Sequence, residues 1–167
     1  FFIASYTGAL LTATNQPVWC DSSWIAALFL ASAATTGIAA IQLVSHFAQP
    51  NATAAREKVD RTDGWAMWLE LLVFGLFILS LSGPTHARLV KSGVWVPLAG
   101  GALACGVIVP LMLRRWPRVL GRATPIVVPV LVLVGGFLLR YAILEAPQGM
   151  LQVIDAERRS SLAGIHV

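Results

Sequence analysis

The stretch Ile126-Val127-Val128-Pro129-Val130-Leu131-Val132-Leu133-Val134-Gly135-Gly136-Phe137-Leu138-Leu139-Arg140-Tyr141-Ala142-Ile143-Leu144 decides the fold. A helix needs about 20 predominantly apolar residues to cross a bilayer, and this run supplies them. It also carries a charge. An arginine inside a span costs at least about 2.5 kcal/mol unless it meets a counter-ion, water or a ligand, so Arg140 asks for a function.

Four further apolar runs surround this one. A truncated span covers 1–14, and complete spans cover 24–47, 64–82, 93–113 and, around the quoted stretch, 124–146. The expected fold is an all-α, polytopic transmembrane bundle of four complete spans and one truncated N-terminal span. It fills residues 1–147, and a polar C-terminal tail fills 148–167. The chain begins with Phe1-Phe2-Ile3, inside an apolar stretch and without a basic leader, so its true start is expected upstream. Turn residues separate the spans, among them Asn15-Gln16-Pro17, Gln49-Pro50-Asn51, Ser82-Gly83-Pro84 and Trp116-Pro117.

Composition agrees. Of 167 residues, 57% are hydrophobic and 12% charged, where a soluble domain carries about 25% charged residues. The net charge of +4 is no nucleic-acid signal, because the basic residues lie in the connectors. Arg56, Lys58 and Arg61 share one connector, and Arg114, Arg115, Arg118 and Arg122 another. They outnumber Arg88 and Lys91 in 83–92, which places the first two connectors in the cytoplasm. Arg158 and Arg159 in the tail weaken that bias.

Small residues at 31–37 and 100–106 read as close helix contacts. Trp19, Trp24, Trp65, Trp68, Trp95 and Trp116 lie near span ends, as an interfacial belt would. Cys20 and Cys105 read as apolar fillers, since neither a CxxC nor a metal-ligand spacing is present. His46, His86 and His166 lie at span ends or in the tail and do not face one another as haem ligands would.

Three positions remain as candidates for chemistry. Glu70 lies inside the span 64–82, with Asp63 seven residues before it and Asp60 three earlier still. All three fall on one helical face, an acidic stripe suited to the mouth of a proton path; the bland alternative is a packing acid. Counted from the span starts, Glu70 is roughly 9 Å deep and Arg140 roughly 24 Å, so no direct pair is expected between them. Arg140 is instead expected near Tyr141 and Glu145, or snorkelling outward. Tyr6 places a phenol beside Thr7 and Gly8, where it suits a quinone carbonyl, a neighbouring helix or the interface.

Taken in order, Tyr6-Thr7-Gly8-Ala9-Leu10-Leu11, Pro17-Val18-Trp19, Leu28-Phe29-Leu30-Ala31-Ser32-Ala33-Ala34-Thr35-Thr36-Gly37, Glu70 and Gly135-Gly136-Phe137-Leu138-Leu139-Arg140-Tyr141 resemble the NrfD/polysulfide reductase membrane-subunit family. The resemblance covers nearly the whole chain to about Gln148 and matches the C-terminal half of such a subunit. It implies a multi-pass subunit of a bacterial-type inner (cytoplasmic) membrane that holds no haem or metal of its own. Such a subunit takes quinone or quinol as exchangeable substrate and exchanges electrons with a ferredoxin-like iron–sulfur subunit, whose clusters serve a molybdopterin-type or cytochrome catalytic subunit. Carried over, Tyr6, Arg140 and Tyr141 would lie near the quinone, and Glu70, Asp63 and Arg140 would transfer protons or control that transfer. The competing classes are a non-redox anchor, which needs neither Arg140 nor Glu70, and a small transporter. A transporter would favour inverted repeats of broken helices, and the Pro129/Gly135-Gly136 pattern has no second copy.

Overall fold

The computed structural model describes residues 6–7, 9–10, 13–14, 19, 22–48, 53–91, 93, 95–116 and 121–163. Its elements are α1 (Trp24–Ala48), α2 (Thr53–Ser80), α3 (Gly83–Lys91), α4 (Trp95–Leu103), a π-helical segment (Ala104–Ile108), α5 (Val109–Arg115), a 3-10 turn (Gly121–Ala123) and α6 (Thr124–Ala163). Four stretches are long and apolar enough to cross a membrane: Trp24–Ala48, Lys58–Ser80, Leu98–Arg115 and Thr124–Leu162. The fold is the expected all-α polytopic bundle. Of the truncated span, Tyr6, Thr7, Ala9 and Leu10 are helical and Ala13 and Thr14 lie in a turn; its other residues lie outside those described.

Three boundaries differ from those read in the sequence. Helix α2 begins at Thr53, because Ala, Arg, Glu and Lys in 53–63 favour helix although they are too polar to look like a span. The connector 83–92 contains α3. Pro84 suits a first helical turn, the Ser82 and Thr85 hydroxyls bond at 2.8 Å, and Leu89 is buried beneath. Helix α6 continues through Pro147 into the stretch read as a tail. Pro147 has no N–H for the Ile143 carbonyl, and the Trp19 indole donates to that carbonyl instead at 2.9 Å. Trp19 is therefore half-buried and bonded to a helix. Trp24, Trp65, Trp68 and Trp116 are exposed at the surface, as a belt requires.

Helix α6 packs against both α1 and the α4–π–α5 arm, and α2 packs on α1. The adjacent glycines of α6 serve different neighbours. A Cβ on Gly135 would overlap the Gly106 backbone of the π segment, whereas one on Gly136 would overlap the Thr36 methyl of α1. The π segment has its own cause in the sequence. Pro110 lacks an N–H and its ring crowds the carbonyl one turn back; the helix widens there, and Val109 N–H bonds the Ala104 carbonyl five residues behind.

The interior is stratified. One apolar cluster joins Leu28, Val73, Phe77, Ala99, Ala102, Leu139 and Ile143. A second joins Ala39, Met67, Val107 and Val132. Along α1 the buried order is Leu28, Ser32, Thr35 and Ala39, followed by the half-buried Gln42; along α2 it is Val73, Glu70, Met67, Asp63. Each helix thus passes through apolar, polar, apolar and polar layers in register.

Candidate functional site: two polar layers in the bundle

The first polar layer lies where α1, α2 and α5 share one end. Asp63 is fully buried and its Oδ2 takes the Arg114 guanidinium in close contact. Arg114 also donates to the Asp60 backbone carbonyl at 3.0 Å and to Gln42 Oε1 at 3.2 Å. Gln42 Nε2 in turn donates to Asp60 Oδ1 at 2.8 Å. Arg114, counted in the sequence only as a connector charge, therefore ties three helices together. The contact also shows that the connectors carrying Lys58 and Arg114 lie at one end of the bundle. At the other end Arg88 and Lys91 approach Glu157 at 3.6 and 3.7 Å. Those side chains are exposed, so the pairs contribute about 1 kcal/mol at most.

The second polar layer contains Glu70, which is 4% exposed. Thr35 Oγ1 lies 2.7 Å from Glu70 Oε2 and 3.1 Å from the Ser32 carbonyl. Thr36 Oγ1 donates to the same carbonyl at 2.7 Å and accepts from Arg140 Nη2 at 3.3 Å. Glu70 and Arg140 thus meet adjacent threonines rather than each other, close enough for the arginine charge to act on the carboxylate. Ser32 Oγ is buried beside them without a hydrogen bond of regular geometry.

The depth expected from span starts is corrected here. Gly135 touches Gly106, and both line one cavity with Glu70, so Glu70 stands level with Gly135 and Gly136. Arg140 is only four residues beyond Gly136, about 6 Å of rise. Its side chain leans back toward the N-terminus of α6, as helical side chains do. Counting from Gly64 and Thr124 misled because the two residues are not at the same height. Gly136 and Arg140 share one face four residues apart, the glycine admitting Thr36 and the arginine binding it.

The other candidates lie apart from this layer. Asp63 is on the Glu70 face of α2, as its spacing requires, but Met67, with Ala39, Val107 and Val132, stands between the two acids. Tyr6 is exposed. Tyr141 is exposed and stacks on Phe137, ring centroids 6.4 Å apart and planes 17° from parallel. Among the described residues no group of three or more His, Cys, Asp or Glu side chains is placed to hold a metal ion. Sequence reasoning missed Ser32, Thr35, Thr36 and Arg114. The available signal was the 32/35/36 spacing, three hydroxyls on one side of a small-residue helix facing the acid of its neighbour.

Stacked spans with ionisable groups inside the bundle define a multi-span helical membrane protein whose charges have partners. The chain belongs to the NrfD (polysulphide reductase) family, whose profile matches residues 2–152. Members of that family are membrane subunits of quinone-linked oxidoreductases and interact with quinones. Neither the curated proteins nor the solved structures provide a match.

Proposed function

We propose that this chain passes electrons between the quinone pool of a bacterial inner membrane and a ferredoxin-like iron–sulfur subunit that serves a molybdopterin-type or cytochrome catalytic subunit, with Glu70 as its proton carrier. Oxidation of one quinol to quinone releases two electrons and two protons. The electrons need a partner cluster close to the head group, and the protons need groups that exist in both protonation states within the bilayer.

The observation that carries this reading is the Thr35 hydroxyl, poised between Glu70 and the Ser32 carbonyl. It has one hydrogen and two lone pairs. With Glu70 ionised, the hydroxyl donates to the carboxylate. With Glu70 protonated, the carboxyl donates to Thr35 Oγ1 and the hydroxyl hydrogen turns to the Ser32 carbonyl. Both states are hydrogen-bonded without movement of a helix. Arg140, held on Thr36, steadies the ionised form and is not itself a proton acceptor, since guanidinium is not deprotonated in proteins. The stacked Phe137–Tyr141 pair, one residue from Arg140 on the exposed side of α6, is the surface we assign to the quinone ring; Tyr6 is the second candidate. Asp63, engaged by Arg114, sets the architecture of the opposite layer.

The test is the native complex in mild detergent with a reduced quinol analogue. Wild type should reduce the co-purified clusters, and Glu70→Gln should assemble normally but turn over far more slowly. An unchanged rate in the assembled Glu70→Gln complex removes the proton assignment; clusters that never respond in wild type remove the redox reading.

A further inference from the structure

The side of α2 turned away from Asp63 and Glu70 borders a groove of about 720 Å³, lined by Arg61, Gly64, Trp65, Trp68, Leu71 and Leu72. Their spacing puts these residues in one stripe along the helix. Gly64 makes a notch in it, since a Cβ there would meet nothing within 4 Å. Trp65 and Trp68 are exposed beside the notch, and Leu72 continues the wall. The groove is graded along its length. Arg61 stands at one end, with the exposed Lys58 one turn further out, and beyond Gly64 the wall is aromatic and then aliphatic.

Length and charge together select the occupant. From Arg61 to Leu72 the helix rises roughly 16 Å, and one leaflet of hydrocarbon is about 15 Å deep. The groove is therefore charged where a lipid headgroup lies and apolar for the depth of one acyl chain. Its charged end belongs to the same end of the bundle as the Arg114–Asp63 contact. The positive-inside rule gives that end to the cytoplasm, and basic residues beside a span there attract anionic lipid. Asp60, the acid next to Arg61, already accepts from Gln42 and faces Arg114. A quinone ring is neutral and gives Arg61 no anion to hold. We infer that the groove binds one anionic glycerophospholipid of that leaflet, its phosphate on Arg61 and one acyl chain lying over Gly64 against Trp65, Trp68 and Leu72. A guanidinium can meet two phosphate oxygens at once, which suits Arg61 to the headgroup. The site is independent of the redox reading.

Native mass spectrometry of the complex tests this. The complex is exchanged into phosphatidylcholine and titrated with phosphatidylglycerol, and the bound lipids are counted. Wild type should hold phosphatidylglycerol in preference to phosphatidylcholine. Arg61→Gln should weaken one such binding event about fivefold, the loss expected for one basic residue, and Arg61→Lys should restore part of it. Gly64→Leu fills the notch and should remove one lipid of either headgroup. The inference is overturned if wild type shows no preference, or if Arg61→Gln and Gly64→Leu both leave the preference unchanged. A lipid lost in Gly64→Leu, with the headgroup preference intact in Arg61→Gln, is an unselective boundary lipid and also overturns it. Displacement of the phosphatidylglycerol by a quinone analogue gives the groove to quinone instead. If Gly64→Leu prevents assembly while Arg61→Gln binds lipid as wild type does, a neighbouring helix fills the groove and the inference fails.

Discussion

Asp63 and Glu70 are both buried acids on one face of α2, seven residues apart, and the fold treats them in opposite ways. Asp63 receives the Arg114 guanidinium directly, inside a network that also binds Gln42 and the Asp60 backbone. Glu70 receives a threonine hydroxyl, and its arginine is held one residue away on the next threonine. Direct contact fixes a charge where it is, because losing either member strands the other in a dry place. Contact through hydroxyls offsets the charge and, on the function we propose, leaves the proton free to come and go. The first arrangement builds a joint between helices, and the second is the arrangement we propose as a site. Apolar side chains around Met67 keep the two from merging.

Neutralising each acid in turn is the most direct way to break this contrast. Glu70→Gln should lower quinol-linked turnover by about a hundredfold, the range for removing a proton-transfer group, while the complex still assembles. Asp63→Asn should do the reverse. It leaves Arg114 without its anion and costs about 3 kcal/mol of stability, read as a lower unfolding midpoint in detergent. Asp63→Leu combined with Arg114→Met should recover most of that loss, with turnover per assembled complex close to wild type. If Asp63→Asn instead abolishes turnover in intact complexes, the two layers are one pathway and the contrast fails. Arg140→Leu sharpens the comparison by removing only the indirect partner. It should slow turnover by about tenfold, equivalent to ~1.4 kcal/mol in the barrier, and Arg140→Lys should recover part of the rate by restoring charge. The smallest effect belongs to Trp19→Phe, which removes the donor to the Ile143 carbonyl. A loss of about 1 kcal/mol is expected, with turnover unaffected.

Much of this arrangement is legible in the chain. The spans follow from apolar run length, and Arg140 and Glu70 stand out as charges inside them. The common face of Asp63 and Glu70 follows from their spacing. Relative height did not follow, because span starts read from hydropathy need not lie in one plane. What aligns α6 with the π segment is the Gly135–Gly106 contact. Thr35 and Thr36 were legible only as small residues, since their chemistry depends on which helix lies opposite. Arg114 looked like a connector charge because orientation rules count arginines without asking where they point. The continuation of α6 past Pro147 needed a donor from outside the helix, and Trp19 lies more than a hundred residues away in sequence.

The π segment before Pro110 has a rotational effect. A regular α-helix turns about 100° per residue, so Arg114, eight residues after Gly106, would point about 80° away from it. The wide turn, Ala104–Ile108, takes up more residues per turn, so the helix beyond it is rotated back from that direction. Gly106 can then abut Gly135 in the Glu70 layer while Arg114 faces Asp63 in the layer below. One proline therefore resets the angle of the helix beyond it, so that Gly106 meets α6 and Arg114, two turns on, meets α1 and α2.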